Sequence, residues 1–264
     1  MPSPSENTPA PAARLVDQED LDALQEFIDE GVLTRVLGVV KAGKEATVYR
    51  CAARFPGGPP IAAVKVYRSA GFRDFKNSAV YLEGQVIGNG QARRAVEKKT
   101  SAGREIAASM WVNREFDVLS ELHSGGADVP EPFFATDRAI LMSFAGGEAA
   151  APQLQHVRLA HHEAGPLLDR LLWNIETFLD HHLVHADLSP FNVLVADGRP
   201  LVIDFPQAVD PRKNPNARSL LERDARNICR HFARYGIEAD AERFVSELWR
   251  RYRLGEVGTF AGLG

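Results

Sequence analysis

The sequence contains no run of eighteen or more apolar residues, so no stretch of it reads as a membrane-spanning helix. Cysteine is nearly absent. Cys51 and Cys229 lie far apart and neither belongs to a Cys-x-x-Cys pair, which excludes a disulfide framework and fits a reducing cytoplasm. No excess of one charge is present: the formal net charge is −4 over 264 residues, which argues against coating nucleic acid by bulk electrostatics. The start, Met1 to Ala13, lacks the basic and apolar regions of a secretory signal. Its Pro, Ser and Ala content offers little to bury, so residues 1–16 are expected to be a disordered tail. Neither Gly-x-Gly-x-x-Gly nor a complete P-loop occurs.

What is present is concentrated in His185-Ala186-Asp187-Leu188-Ser189-Pro190-Phe191-Asn192, followed by Val202-Ile203-Asp204-Phe205. This places a carboxylate, a carboxamide and a second carboxylate in short order, with strand-forming residues between them. Phosphoryl transfer needs such a set: one carboxylate to accept a hydroxyl proton, and an Asn and an Asp to hold magnesium on nucleotide phosphates. The interval between Asp187 and Asp204 accommodates a strand, a tight turn at Asp197-Gly198-Arg199-Pro200 and a returning strand. Both acids would then face one cleft.

Around this stretch the pattern predicts a mainly β half, a linker near 143–150 and a mainly α half with an embedded hairpin. Asp17 can cap a first helix bearing Leu21, Leu24, Phe27 and Ile28 on one face. Val36 to Tyr49 reads as strand, loop, strand, with Gly38 and Gly43 around the bend, and Ile61–Tyr67 is a strand. Ser69 to Thr100 has no clean periodicity and is expected to be a flexible insertion. A helix follows over about Gly103–His123, and Ile140-Leu141-Met142 reads as a buried strand opening at Ala145-Gly146-Gly147. Further helices are expected over about Gly165–His182, Ala217–Tyr235 and Ala239–Arg253.

The first half should supply a phosphate clamp. Gly38-Val39-Val40-Lys41-Ala42-Gly43-Lys44-Glu45-Ala46 could bring backbone N–H groups and the charges of Lys41 and Lys44 onto phosphates, although an ordinary hairpin turn has the same composition. Lys65, between Val64 and Val66, points to one face of its strand while its neighbours pack the other. It is either a solvated surface lysine or a phosphate ligand held by a helical carboxylate. Glu115 is the candidate partner, with Glu105 and Glu121 on the same helix as alternatives.

The blocks Gly43-Lys44-Glu45-Ala46-Thr47-Val48-Tyr49, Val64-Lys65-Val66-Tyr67-Arg68, Tyr81-Leu82-Glu83-Gly84-Gln85 and His185-Ala186-Asp187-Leu188-Ser189 resemble the RIO family of atypical protein kinases, in the family's order and over residues 31–235. They are most similar to the branch without an N-terminal winged helix, for which the residues before the Gly-rich loop leave no room. The resemblance implies an α+β, bilobal protein-kinase-like fold, with a small β-rich N-lobe (17–142, including the insertion over 69–100) and a trimmed, mainly α C-lobe (143–264). It implies ATP with Mg2+, or Mn2+ in its place, between the lobes. Lys65 would contact the phosphates and pair with Glu115. Met142, Ser143 and Ala145 would form the adenine-binding hinge, with Lys41, Gly43, Lys44 and Glu45 as the roof. Asp187 would be the catalytic acceptor, and Asn192 and Asp204 the metal ligands. The aspartate matching Asp204 can become transiently phosphorylated in that family, as part of an ATPase-driven switch.

Two departures stand out. Asp204-Phe205-Pro206 replaces Asp-Phe-Gly, and proline fixes φ, which disfavours a flipping switch. No Ala-Pro-Glu follows, so the usual peptide-docking region is expected to be missing. The histidines His156, His161, His162, His181, His182 and His185 are too dispersed to suggest zinc. The run Arg93, Arg94, Lys98, Lys99 could contact phosphate backbone or be a solvated face; the resemblance implies contact with the RNA of a ribosomal particle. The leading expectation is an ATP-dependent serine protein kinase with autophosphorylation or ATPase activity. The alternatives are a small-molecule phosphotransferase of the aminoglycoside or choline kinase type, and a non-catalytic ATP-sensing assembly factor.

Overall fold

The computed structural model describes residues 18–68 and 101–257. The expected tail, the capping Asp17 and the insertion over 69–100, with Tyr81–Gln85 and the basic run at 93–99, lie outside the described residues.

Alternation of β-branched and small residues builds a five-stranded antiparallel sheet from β1 (Leu33–Ala42), β2 (Ala46–Ala53), β3 (Ile61–Tyr67), β4 (Pro132–Ala135) and β5 (Ala139–Ser143), in the order β1-β2-β3-β5-β4. The two-residue period of β3 divides its side chains cleanly. Val64 and Val66 face α1 (Gln18–Asp29), packing with Leu24, Phe27, Cys51 and Leu141. Tyr49 closes that layer by donating its hydroxyl to Asp20 Oδ2 at 2.6 Å. Ala63 and Tyr67 face the other way, where Val112, Leu119 and Leu122 of α2 (Ser101–Ser124) pack over the sheet. Lys65, between them on that face, therefore points toward α2 rather than solvent.

Gly38 is not at the bend. It sits within β1, where the pairing with β2 slips register between Val36 and Gly38, as at a bulge. The turn itself is Gly43-Lys44-Glu45, closed by the Gly43 N–H donating to the Ala46 carbonyl at 2.9 Å. β4 was not anticipated: the short Pro132–Ala135 run is an edge strand, too brief to show a period.

The chain leaves β5 through residues 144–150 and a short 3-10 turn at Leu154–His156 into the helical lobe. That lobe comprises α3 (His161–Asp180), the hairpin β6 (Val193–Ala196) and β7 (Arg199–Val202), α4 (Ala217–Ala233) and α5 (Ala241–Leu254). α3 begins four residues earlier than its leucine pattern suggests, because Glu163 accepts the Ala160 N–H at 2.7 Å and caps the extra turn. Asp197 and Gly198 adopt φ of 50° and 73°, the conformation of a two-residue hairpin turn. Leu171, Ile175 and Phe178 pack with Phe205, Ile228, Phe232 and Leu248 in a core continuous with the α2 side of the sheet. Among the described residues no helix is long and apolar enough to cross a membrane.

Candidate active site

The site forms where two loops meet the sheet. After α3 the chain bridges Val184 to Val209 and enters His185–Asn192, where Ala186 has φ of 63°. A left-handed alanine is unfavourable, and α4 holds it in place. Asp224 accepts the N–H groups of Ala186 at 2.7 Å and Leu188 at 3.0 Å. Arg223 donates to the Ala186 carbonyl, and Asn227 donates to the Leu188 carbonyl at 3.1 Å. The loop between Ala186 and Leu188 thus presents Asp187 outward. Asn192 donates Nδ2 to the Asp187 carbonyl at 3.0 Å and to its Oδ2 at 3.3 Å.

The second loop is tied to the first by backbone and by His185. Ile203 donates its N–H to the Asn192 carbonyl at 3.0 Å. His185 Nε2 lies 3.1 Å from the Ile203 carbonyl, and its Nδ1 accepts the Asp187 N–H at 3.3 Å. This pattern defines the neutral Nε2-protonated tautomer. Burial agrees, bringing the His185 pKa down to about 4. Asp204 follows with φ of 74°.

Lys65 joins the lobes. Its Nζ lies 2.8 and 2.9 Å from the Glu115 oxygens and 2.7 Å from Asp204 Oδ1. Glu115 Oε1 also accepts the Phe205 N–H at 3.1 Å, and Arg114 donates to the Ala208 carbonyl. α2 therefore holds the stretch after Asp204 at two points, Phe205 and Ala208. Burial favours the neutral amine of Lys65, but the facing Asp204 and Glu115 carboxylates outweigh it and raise the pKa. Burial would likewise raise Asp204, yet the Lys65 ammonium, with Lys41 beyond it, holds that carboxyl below its ordinary value. Asp187 differs. Burial and the Asp204 charge raise its pKa, opposed by Arg223 and the Asn192 hydrogen bond.

A cleft of about 530 Å3 opens between the lobes. Lys41, Gly43, Lys44, Glu45, Lys65, Glu115, Met142, Ser143, Ala145 and Asp204 all line it. Asp187 and Asn192 are not among the residues that line it; the Ile203 N–H bond to the Asn192 carbonyl ties their loop to the cleft wall. Val48 and Ala63 from the sheet and Leu194 and Leu201 from the hairpin give it apolar walls. At the hinge the Ser143 N–H is already committed to the Glu131 carbonyl at 2.8 Å, whereas the Ala145 N–H has no hydrogen-bond partner among the described residues. Glu45 is half-buried in the cleft, and burial followed by the Asp204 charge raises its pKa. Sequence reasoning missed Asp224, Arg223 and Asn227. The available signal was a carboxylate, Asp224, interrupting the apolar face of Leu221, Ala225 and Ile228.

The RIO domain family model matches residues 47–244, which is most of the chain. The chain belongs to the RIO family. Its relatives include a RIO-type serine/threonine-protein kinase Rio1 from Haloferax volcanii, 31% identical over 230 residues that cover 86% of this chain and 73% of that protein. Serine/threonine-protein kinase RIO1 of Caenorhabditis elegans is 29% identical, covering 90% of this chain and 45% of its own length. The human protein of that name is 27% identical, with 86% and 38% covered. This RIO chain thus spans less than half the length of the nematode and human relatives. The α+β, two-lobed architecture expected from the sequence is the one the structure has.

Proposed function

We propose that the chain is an ATP-dependent, RIO-type serine/threonine protein kinase that also hydrolyses ATP or phosphorylates itself, acting in the cytoplasm. The observation that carries this reading is the bond of Lys65 to Glu115 from one side and to Asp204 from the other, beside the paired Asp187 and Asn192. A lysine held by a helical glutamate next to a metal-loop aspartate is the arrangement that positions nucleotide phosphates for transfer. The kinase names of the relatives favour this over the small-molecule phosphotransferase reading.

The apolar walls suit an adenine ring, whose polar edge the Ser143 carbonyl and the Ala145 N–H would hold. Lys41, Gly43, Lys44 and Glu45 would then cover the phosphates, and Lys65 would contact them. Asp187 accepts the proton of the acceptor hydroxyl as its oxygen bonds to the γ-phosphorus and ADP departs. The raised pKa of Asp187 suits it to that exchange. Lys65 stabilises charge on the transferred group.

Asn192 spends its Nδ2 on Asp187, which leaves Oδ1 as the lone-pair atom for a ligand, and the Asp204 side chain is 41% exposed. Carboxamide and carboxylate oxygens are hard donors that suit magnesium, or manganese in its place. When bound, the cation neutralises charge on the phosphates. Asp204 is also the carboxylate that would carry a transient acyl phosphate, its oxygen taking the γ-phosphoryl group as ADP leaves.

Phosphate release from ATP with magnesium, measured on wild type, Asp187→Asn and Asp204→Ala with a check for labelled protein, tests the reading. Turnover should fall at least about 100-fold in both variants. Wild-type protein that binds ATP but neither turns over nor acquires label would sink it, and would favour the ATP-sensing role.

A further inference from the structure

Three arginines on α4 stand out in a chain of net charge −4. Arg223, Arg226 and Arg230 are all exposed, at spacings of three and four that place them on one face of the helix. Elsewhere on α4 and α5 arginine charge is commonly spent: Arg218 pairs with Glu222, Arg250 with Glu247 and Arg251 with Glu176. Among the described residues, Arg223, Arg226 and Arg230 have no acidic partner within salt-bridge distance. The row starts at the chemistry. Arg223 donates to the carbonyl just before Asp187, and its charge acts on the Asp187 carboxylate. From there Arg226 and Arg230 lead away along the helix and form one side of a second cavity of about 560 Å3, with Ala233, Ile237, Glu238 and Asp240 also lining it. Asp240 is occupied in capping α5, where it accepts the Arg243 N–H at 2.9 Å.

We propose that this arginine row is the acceptor-docking surface, and that it selects polypeptide segments carrying acidic residues near the phosphorylated serine. The inference rests on the kinase reading above and adds a substrate class to it. At about 1.5 Å per helical residue, Arg226 and Arg230 lie about 5 and 10 Å along α4 from Arg223. An extended chain covers those distances in roughly two to four residues. A serine hydroxyl at Asp187 therefore places a neighbouring Asp or Glu two to four positions away against Arg226 or Arg230. Charge-assisted bonds to guanidinium would hold it there. The Ala233 and Ile237 surface suits the apolar atoms of a peptide, and the Glu238 and Asp240 carboxylates of the same cavity disfavour a uniformly anionic polynucleotide.

The test compares wild type with the Arg226→Glu/Arg230→Glu double variant, leaving Arg223 untouched because it holds the catalytic loop. Fluorescence anisotropy is read with a labelled peptide bearing one serine flanked by aspartates, with the same peptide flanked by alanines, and with a short single-stranded RNA. Wild type should bind the acidic peptide at least about tenfold tighter than the alanine peptide, with affinity falling as salt rises. The double variant should lose that preference while ATP binding and phosphate release stay unchanged. Equal binding of the two peptides by wild type, or a preference that survives the double variant, would overturn the proposal. RNA binding tighter than the acidic peptide and lost in the variant would overturn it in favour of a nucleic-acid surface. Peptide binding is read without turnover, so failure of the kinase reading and failure of the docking surface show up in different measurements.

Discussion

At Lys65 one ammonium neutralises carboxylates that come from two different parts of the fold. Replacing it by methionine leaves Glu115, 1% exposed, without its cation. Removing one partner of a buried pair costs about 3–5 kcal/mol. The urea midpoint of Lys65→Met should fall accordingly, and an unchanged midpoint would mean that Glu115 takes up a proton at little cost. Asp187 carries a prediction of its own. Its carboxyl is raised above 3.8, and it accepts a proton only when ionised. Activity should therefore grow as pH rises through a value above the ordinary aspartate pKa of 3.8, in a pH profile of kcat/KM. An acid limb at or below 3.8 would place the proton acceptor elsewhere.

The relation between α4 and the loop it clamps sets the next scale. Asp224 supplies both acceptors for the strained Ala186–Leu188 segment. Asp224→Ala should lower kcat by at least about tenfold with little change in ATP affinity, because the loop and not the nucleotide slot loses its support; single-turnover kinetics with a binding isotherm reads this. The same clamp governs acid stability. His185 has a pKa of about 4 in the fold against 6.5 when free. Unfolding therefore takes up a proton in that window, and this contribution to stability is lost as pH falls from about 6.5 to about 4. Burial lifts Asp224 to about 7 from 3.8. The fold then binds the extra proton, and this contribution is lost as pH rises from about 4 to about 7. The two slopes oppose one another. Asp224→Asn removes the second, so its unfolding free energy should climb with pH between about 4.5 and 6.5 more steeply than that of wild type. Parallel curves would show that Asp224 is not held protonated.

For the whole molecule, the continuous core that joins the sheet to the helical lobe makes ligand binding a global event. A nucleotide at 100 times its Kd should add about 2.7 kcal/mol to unfolding. Thermal melting with ATP and magnesium should rise as one transition. Two separated transitions, only one of them shifted, would mean that the lobes unfold independently despite the shared packing of Ala63, Val112 and Phe205.

Local chemistry made part of this legible. Lys65, Asp187, Asn192 and Asp204 stand in short strings whose neighbours dictate strand, turn and loop, so they could be singled out as candidates where they stand. The helices followed from leucine and isoleucine periodicity, with ends shifted where a side chain such as Glu163 capped an extra turn. Other features were set by contacts between distant segments. Glu115 could be separated from Glu121 only by the rotation of α2 about its axis, which packing on β3 determines. Gly38 read as a turn glycine until its pairing with β2 put it inside a strand. Asp224 and Arg223 carry no local mark of their task, because the loop they hold lies more than thirty residues earlier in the chain. Their place at the site arises when α4 packs beneath that loop. The residue types and their local order were thus the sequence's own contribution, since they depend on side-chain chemistry and near-neighbour geometry. Which carboxylate meets which cation, and which helix holds the strained loop, was decided only by tertiary packing, since these depend on distances that chain order does not set.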